Sequence, residues 1–233
     1  MARRRWLRYL LSHRTLALIR WDLHFLIVRI RNAVTGANRK LLARTSRAPH
    51  PRYLNLGSGP RGRDESNWVN VDGYPDNNVH HLMDFGRPFP FADGCFDGIF
   101  TEHVLEHFSR EDGVALFREC LRVLGPGGLL RVVVPDAAKI IATYMEAPEL
   151  LAKHRSPETG LAMEVVNMYA YQRYEHQCLY DWALMRRTLV DAGFAEITRR
   201  RYREGASGAL AIDDAKYEWE SLYVEASKVS GEA

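Results

Sequence analysis

Two glycines and one aspartate in the first third of the chain could bind a nucleoside. A short apolar run, Tyr53–Leu56, ends in Gly57-Ser58-Gly59, and the next apolar run ends in Asp72. Glycines after a buried strand let the backbone turn sharply and let a ligand approach the main chain. A carboxylate at the tip of the following strand can accept hydrogen bonds from both ribose hydroxyls. The pattern therefore predicts a nucleoside site at the carboxyl ends of two short strands.

The glycine spacing leaves two kinds of nucleoside open. Gly57, Gly59 and Gly62 complete the G-x-G-x-x-G pattern of dinucleotide-binding sites. A pyrophosphate, however, would need a helix N-terminus directly after the turn. The residues from Gly62 to Asn67 predict a loop instead. A nicotinamide oxidoreductase is further disfavoured because no Tyr-x-x-x-Lys pair is present; neither Tyr169 nor Tyr171 precedes a lysine at that spacing.

Three motifs carry a resemblance to a known family. They are N-L-G-S-G at 55–59 with N-V-D at 70–72, F-D at 96–97 with H-V-L-E-H at 103–107, and L-x-P-G-G-x-L at 124–130. Together they resemble class I S-adenosylmethionine-dependent methyltransferases, in the small-molecule (type 11-like) branch, over most of residues 53–227. The resemblance implies an α/β fold with a Rossmann-like doubly wound sheet, mostly parallel with an antiparallel C-terminal strand.

The same resemblance implies how S-adenosylmethionine is held. Residues 56–59 would hold the methionine portion, Asp72 the ribose, and Asp84 the adenine amino group. The amide of Phe85 would face the adenine ring, and residues 101–106 would flank the sulfonium. The expected cofactor-binding residues are Leu56, Gly57, Ser58, Gly59, Asp72, Gly73, Asp84, Phe85, Thr101, Glu102 and His103.

Methyl transfer from a sulfonium needs few catalytic groups, because a neutral thioether leaves from a cation and alignment supplies much of the rate. A base is needed only when the acceptor must lose a proton. Two histidines are candidates for that catalytic role. His103 is expected beside the cofactor, and His176 lies in an E-H-Q segment that resembles an element of uncharacterised family members. A capping or core role for His176 stays open.

The two histidines of H-V-L-E-H also raise the question of a metal. His103 and His107 are four residues apart, a spacing that can place two imidazoles on one helix face. Val104 stands where an H-E-x-x-H motif requires glutamate, and no third ligand is evident in the sequence. We therefore expect no metal site, and we expect Glu106 and His107 to make structural hydrogen bonds.

The remaining pattern predicts the elements that position these residues. Alternating apolar runs predict further strands at 79–83, 96–100, 129–134, 195–201 and 221–226. Helices are predicted at 114–124 and 182–192, each ended by glycine. Residues 137–182 form an aromatic-rich helical insert that would cap the acceptor pocket. A final strand pair would close the sheet of a methyltransferase domain spanning 48–233.

Charge divides the chain into a basic arm and an acidic body. The chain has 233 residues with 32 lysines and arginines and 29 acids; residues 1–52 hold 13 of the basic residues and one acid, so they carry +12 and the remainder −9. The pattern of residues 1–47 predicts a basic amphipathic helical extension. Charged residues interrupt its apolar runs, which are therefore too short to span a bilayer. It packs on the body or a partner, or it lies on anionic lipid with Trp6, Trp21 and Phe25 at headgroup depth.

These observations favour methyl transfer to a small-molecule, sugar or lipid-linked acceptor, with S-adenosylmethionine as cofactor and O-methylation as the expected chemistry. Nucleic acid is disfavoured as a partner, because the body is acidic and no Asn-Pro-Pro-aromatic motif occurs. Three scattered cysteines suggest a reducing compartment, so we expect a cytoplasmic protein that contacts the inner face of the membrane through residues 1–47. The alternatives are a non-catalytic S-adenosylmethionine-binding scaffold and a membrane-surface adaptor.

Overall fold

The computed structural model describes residues 11–155 and 159–229. The first ten residues, which include Trp6, and the last four lie outside the described residues. The helices are α1 His13–Thr35, α2 Ala37–Arg47, α3 Arg110–Val123, α4 Ala137–Glu146, α5 Pro148–Arg155, α6 Ala162–Tyr171 and α7 Trp182–Ala192. The strands are β1 Tyr53–Leu56, β2 Trp68–Asp72, β3 His81–Leu82, β4 Phe96–Glu102, β5 Leu124–Pro135, β6 Ala195–Arg200 and β7 Ser221–Ser227.

The seven strands form a single sheet in the order β3-β2-β1-β4-β5-β7-β6. The first five strands in this order pair in parallel, and β7 lies antiparallel between β5 and β6. The central strands are short apolar runs because both of their faces are covered. This arrangement confirms the predicted α/β fold, with its mostly parallel sheet and antiparallel C-terminal strand.

The strand order reverses between β1 and β4, and this places the predicted nucleoside residues together. From β1, the chain first adds β2 and β3 on one side of this strand. It then returns and adds β4 on the other side of β1. Leu56 at the end of β1 pairs with Val71 on one side and Thr101 on the other. Ligands of such open sheets bind outside the carboxyl ends of the strands at this reversal. Gly57, Asp72 and His103 all lie there.

Two strands differ from their predicted bounds for local reasons. The third strand is only His81–Leu82, because its pairing with β2 is limited to Val71 and Asp72 at the sheet edge. The fifth strand begins at Leu124, which pairs with Phe96 before residues 125–128 bulge out and pairing resumes at Leu129. A glycine-rich turn was predicted at that bulge, and Gly127 has a φ of 71° that suits glycine.

The helical insert has a small core of its own at the carboxyl end of the sheet. Ile140 of α4, Leu151 of α5, and Val165 and Tyr169 of α6 are buried against one another. The insert is tied to the sheet by Asp136, which lies in an isolated parallel bridge with Tyr180. It therefore stands over the same edge of the sheet as Gly57 and Asp72.

The N-terminal arm packs on the body with one face of α1. Phe25 and Val28 are buried, and Asn32 donates to the carbonyl oxygen of Leu82 at 2.8 Å. Trp21 and Phe25 contact Tyr74 of the body, so these two aromatics face the protein and not a lipid headgroup region. The second helix of the arm, α2, ends at Arg47, where the predicted extension ends. Among the described helices, none combines the length and apolar character needed to cross a membrane.

Candidate functional site

Asp72 holds the glycine turn in place at the end of β2. Its Oδ2 accepts the backbone N–H of Gly59 at 2.8 Å, and its Oδ1 accepts the N–H of Tyr74 at 2.8 Å. Gly57 and Gly59 have φ values of 78° and 47°, a conformation that side-chain-bearing residues rarely adopt. Each carboxylate oxygen keeps a second lone pair. Asp72 can therefore fix the turn and still accept ribose hydroxyls.

A cavity of about 310 Å³ lies directly above this turn. Its polar floor is Gly57, Asp72 and Gly73, and the ring of the buried Phe85 forms one wall. At Gly57 the side chain of Val104 packs against the turn, in the space that a Cβ on this glycine would need. A carboxylate acceptor beside an aromatic wall is chemistry that suits an adenosine. The residues present therefore fit the nucleoside part of S-adenosylmethionine.

Asp84 is engaged by the arm. Its Oδ2 lies 2.6 Å from Nη1 of Arg29 on α1, and its Oδ1 accepts the N–H of Gly86 at 3.1 Å. It does not line the cavity that Asp72 and Phe85 share. The structure thus brings Asp72, Gly73 and Phe85 together on one cavity. Asp84 lies outside that lining, in an ion pair with Arg29.

The remaining predicted cofactor residues lie on both sides of the turn. Leu56 and Ser58 are buried, and so is Thr101, whose Oγ1 has no hydrogen-bond partner among the described residues. Glu102 points into a second cavity of about 360 Å³ that Gly57 also lines. There it accepts the N–H of Asp214 at 3.0 Å and lies 3.2 Å from Nη1 of Arg61.

Burial decides the acidity of Glu102. Removal from water raises the pKa of its carboxyl, although the Asp214 N–H and the Arg61 guanidinium act in the opposite direction. Glu102 and Arg61 therefore present an acidic and a basic group to the same small cavity.

His103 has the most constrained position of the predicted residues. Its φ is 54°, and its N–H donates to the carbonyl oxygen of Val133 at 2.9 Å as β4 ends. Its Nδ1 lies 3.1 Å from Oε1 of Glu106, and its Nε2 lies 3.2 Å from Oγ of Ser221. The ring packs on Tyr217 with centroids 4.0 Å apart. A left-handed backbone at a bulky residue is a feature found at functional sites.

A larger cavity of about 900 Å³ adjoins the first, under the helical insert. His103 and His107 line both cavities, as do Gln172 and Glu175. His176 lines only the larger one, where its Nδ1 hydrogen-bonds the carbonyl oxygen of Tyr169 at 2.6 Å. Burial lowers the pKa of His176 and so favours its neutral form, although that carbonyl and Glu106 oppose the shift.

Glu106 is the buried carboxylate of this region. Burial alone would raise the pKa of its carboxyl, but the hydrogen bond from His103 and the charges of His103 and His107 lower it overall. Glu106 and His107 were expected only to make structural hydrogen bonds. The structure places both on the wall of the larger cavity.

Several lining residues escaped sequence reasoning. Trp21 and Phe25 of α1 close one side of the smaller cavity beside Tyr74. Their spacing of four places both on one helix face, but that face suits lipid and protein equally. Tyr217 reaches His103 from a loop before β7, and no sequence motif marked it.

Comparison with known proteins supports the resemblance seen in the sequence. The model of the family described as "Methyltransferase domain" matches residues 70–132. No curated protein sequence matches the chain. Three solved structures that it resembles are a possible exported protein from Bordetella parapertussis, a possible histamine N-methyltransferase from Thermotoga maritima and an S-adenosylmethionine-dependent methyltransferase from Mesorhizobium loti.

The likeness to these structures is distant. The Bordetella protein is 13% identical, with a TM-score of 0.48, over 86% of this chain and 68% of its own. The Thermotoga protein is 14% identical, with a TM-score of 0.47, over 89% and 99%. The Mesorhizobium protein is 17% identical, with a TM-score of 0.45, over 79% and 95%.

The family match runs from within β2 to within β5, so it includes Asp72 at the end of β2 and His103 directly after β4. The sheet to which these strands belong is mostly parallel and has the antiparallel C-terminal strand that the resemblance implies. Over residues 70–132 the chain is thus similar to the family described as "Methyltransferase domain", in agreement with the resemblance that the sequence motifs carry.

Proposed function

We propose that the protein transfers a methyl group from S-adenosylmethionine to an oxygen atom of a small-molecule, sugar or lipid-linked acceptor. The observation that carries this proposal is the position of His103, which lines both the nucleoside cavity and the larger cavity under the insert. A group at the junction of a donor site and an acceptor site is where a proton acceptor for the reacting atom must stand. The larger cavity is then the acceptor site.

The charges around the glycine turn support an assignment of each part of S-adenosylmethionine to a different group of residues. Asp72 would hold the ribose, and Phe85 would face the adenine. The role predicted for Asp84 at the adenine amino group would require its ion pair with Arg29 to open. The second cavity beyond Gly57 would take the charged end of the methionine portion. Arg61 there complements a carboxylate, and Glu102 complements an ammonium group.

The side chain of His103 is oriented for proton acceptance. Its Nδ1–H donates to Oε1 of Glu106, and this tautomer leaves the Nε2 lone pair facing Oγ of Ser221. When bound, S-adenosylmethionine supplies a methyl group on a positively charged sulfur, which leaves as a neutral thioether. An acceptor hydroxyl placed at Nε2 would give its proton to His103 while its oxygen forms the new bond to carbon. The buried Glu106 would stabilise the imidazolium.

Cofactor binding tests the first part of the proposal. We would titrate the protein calorimetrically with S-adenosylmethionine, S-adenosylhomocysteine and NAD, and compare Asp72→Ala with the exposed control Asp76→Ala. A hydrogen bond to a charged group contributes about 1.5–3 kcal/mol, so the affinity for both adenosyl ligands should fall about 10- to 150-fold in Asp72→Ala alone. Binding of NAD alone would reject the proposed cofactor site.

Transfer itself is tested with methyl-labelled S-adenosylmethionine and a panel of free sugars, nucleotide sugars, phenols and lipid extracts. Where an acceptor is found, His103→Gln should lower kcat about 10²- to 10⁴-fold while the affinity for S-adenosylhomocysteine is kept. The matched control is His50→Gln, an exposed histidine paired with Asp97. Cofactor binding without transfer to any acceptor would favour the non-catalytic scaffold instead.

We also propose that the arm contacts an anionic bilayer with the face of α1 that points away from the body. That face exposes Leu18, Ile19, Leu23, Leu26, Ile27, Ile30 and Val34. Exposed basic residues flank them at Arg14, Arg20, Arg31, Arg39 and Lys40. An apolar face bordered by arginine and lysine suits the surface of anionic lipid.

Vesicle co-sedimentation tests this contact. Burying an isoleucine contributes about 1.5–3 kcal/mol, so Ile30→Ser should weaken binding to vesicles of mixed phosphatidylcholine and phosphatidylglycerol about tenfold or more. The control is Leu150→Ser, since Leu150 of α5 is as exposed as Ile30, at 55%. Equal binding of the two variants, or binding unaffected by high salt and by neutral lipid, would contradict the proposal.

A further inference from the structure

Three side chains with metal-ligating atoms meet on the wall of the larger cavity. Glu106 and His107 belong to the short 3₁₀ turn Leu105–His107 after β4, whereas His176 comes from the segment that follows the insert helix α6. One ligand atom from each lies within 4.8 Å of the others. Groups 70 residues apart in sequence are therefore brought to one point by the insert.

Both imidazoles are oriented by the main chain. Nδ1 of His176 hydrogen-bonds the carbonyl oxygen of Tyr169 at 2.6 Å, and Nδ1 of His107 hydrogen-bonds that of Glu175 at 3.2 Å. A carbonyl oxygen can only accept, so each Nδ1 carries the hydrogen, and in the neutral imidazole each Nε2 then carries a lone pair. Ligating histidines characteristically donate their second ring N–H in this way.

Glu106 supplies a carboxylate oxygen that has no partner among the residues that the structure describes. The residue is 2% exposed, and its Oε1 is taken by His103. Its Oε2 has no hydrogen bond from any described residue. A buried oxygen left without a partner costs about 1–3 kcal/mol, more when it is charged. A cation between Oε2 and the two Nε2 atoms would remove that cost.

We propose that Glu106, His107 and His176 bind a divalent metal ion of the zinc class. Two imidazoles and one carboxylate form a donor set that zinc and its first-row neighbours accept, and three protein ligands leave coordination positions open. All three residues line the cavity that we assign to the methyl acceptor.

The use of the ion rests on the proposed function, although its binding does not. An acceptor oxygen coordinated to the ion would lose its proton more readily, and His103 is placed to receive that proton. Glu106 contacts His103 through one oxygen and would contact the ion through the other. The ion would thus orient and activate the oxygen that is methylated.

Metal binding is tested directly with full-length protein from which any histidine tag has been removed. Chelator-treated protein would be titrated with Zn²⁺ and, separately, with Co²⁺, whose visible absorption reports its coordination. Wild type should bind one equivalent and give the intense spectrum of a four- or five-coordinate ion. Loss of an outer-sphere partner costs about 10- to 100-fold in affinity, so loss of a direct ligand in His176→Ala or Glu106→Gln should cost more than about 100-fold.

His50→Ala is the matched control, because His50 is an exposed histidine whose ion pair with Asp97 lies outside this cluster. S-adenosylhomocysteine binding by each variant shows that it is folded. No binding by wild type, or equal binding by wild type and His176→Ala, would overturn the metal site. Metal binding without any binding of S-adenosylhomocysteine would reject the proposed function and leave the metal site standing.

Discussion

Two clusters of buried charged groups lie on this sheet, and they differ in how completely the protein satisfies them. The first surrounds Arg131 of β5, which is fully buried. Its five N–H groups meet five acceptors: both carboxylate oxygens of Asp213, one of Glu225, and the carbonyl oxygens of Arg201 and Glu204. No donor of this guanidinium is left over.

The second cluster surrounds Glu106, which is buried almost as deeply. Its Oε2 has no partner in the described part of the chain, and the neighbouring His107 and His176 hydrogen-bond the main chain through Nδ1. This cluster opens onto the largest cavity reported above, whereas Arg131 lies under the loop that carries Asp213.

The contrast separates two uses of buried charge. A complete set of hydrogen bonds holds elements together and has nothing to offer a ligand, so the Arg131 cluster locks the 201–213 loop onto β5 and β7. Polar atoms that have no partner within the protein can still bind a ligand. The following predictions measure that difference as free energies of unfolding, from urea titrations.

Removal of Arg131 should have the largest effect. Arg131→Met leaves the buried Asp213 without its ion-pair partner and removes one of the two arginines that contact Glu225. Breaking a buried ion pair from one side costs about 3–5 kcal/mol. The free energy of unfolding should fall by that amount. A loss below about 1 kcal/mol would mean that the cluster does not lock the loop.

Metal addition should stabilise the second cluster. At a free Zn²⁺ concentration 100 times the dissociation constant, binding to the folded state alone raises the free energy of unfolding by about 2.7 kcal/mol. Glu106→Gln should show none of this gain, and Mg²⁺, which prefers oxygen ligands, should give little in wild type. An equal gain in wild type and Glu106→Gln would place the ion elsewhere.

Glu106→Gln in metal-free protein should change stability much less than Arg131→Met. The amide oxygen keeps an acceptor for Nδ1–H of His103, and the amide NH₂ faces the Nε2 lone pairs of His107 and His176. Because the variant removes a buried charge that lacked a full set of partners, the free energy of unfolding should stay within about 1 kcal/mol of wild type. A loss as large as that of Arg131→Met would make Glu106 a structural residue.

An exposed ion pair provides the baseline for both clusters. Arg187 lies 2.8 Å from Asp191 one helical turn away, with its side chain 71% exposed. Such pairs contribute about 0.3–0.5 kcal/mol, so Arg187→Met should fall within about 0.5 kcal/mol of wild type. A larger change would show that exposed charges of this acidic body matter more than their contacts indicate.

Much of the sheet could be predicted from the chain. The helix Trp182–Ala192 has the bounds that its apolar spacing and terminal glycine indicate, and β1, β2, β6 and β7 lie within about two residues of theirs. These elements are set by local patterns that alternate with glycine and proline. The edge strand β3 and the start of β5 were missed because pairing partners, not local sequence, decide where a strand begins and ends.

The candidate site was predictable only in part. Gly57, Asp72 and Phe85 follow motifs, and they line one cavity. Asp84 follows the same motifs but is paired with Arg29, because a helix 55 residues earlier in the chain packs over it. For Trp21 and Phe25, the sequence left contact with lipid and contact with protein equally open. Amphipathic spacing indicates that a helix face is apolar, but it does not indicate what covers that face.

The amino-acid sequence by itself determined the order of strands and helices, the glycine turn, the acid that follows it and the charge difference between arm and body. These depend on neighbours within a few positions. Only the tertiary structure decided that His176 meets Glu106 and His107 and that α1 covers the cavity beside Asp72. It also decided that, among the described residues, Arg131 has a full set of partners and Oε2 of Glu106 has none. Contacts between groups tens of residues apart depend on how the sheet and its insert pack, and no local spacing encodes them.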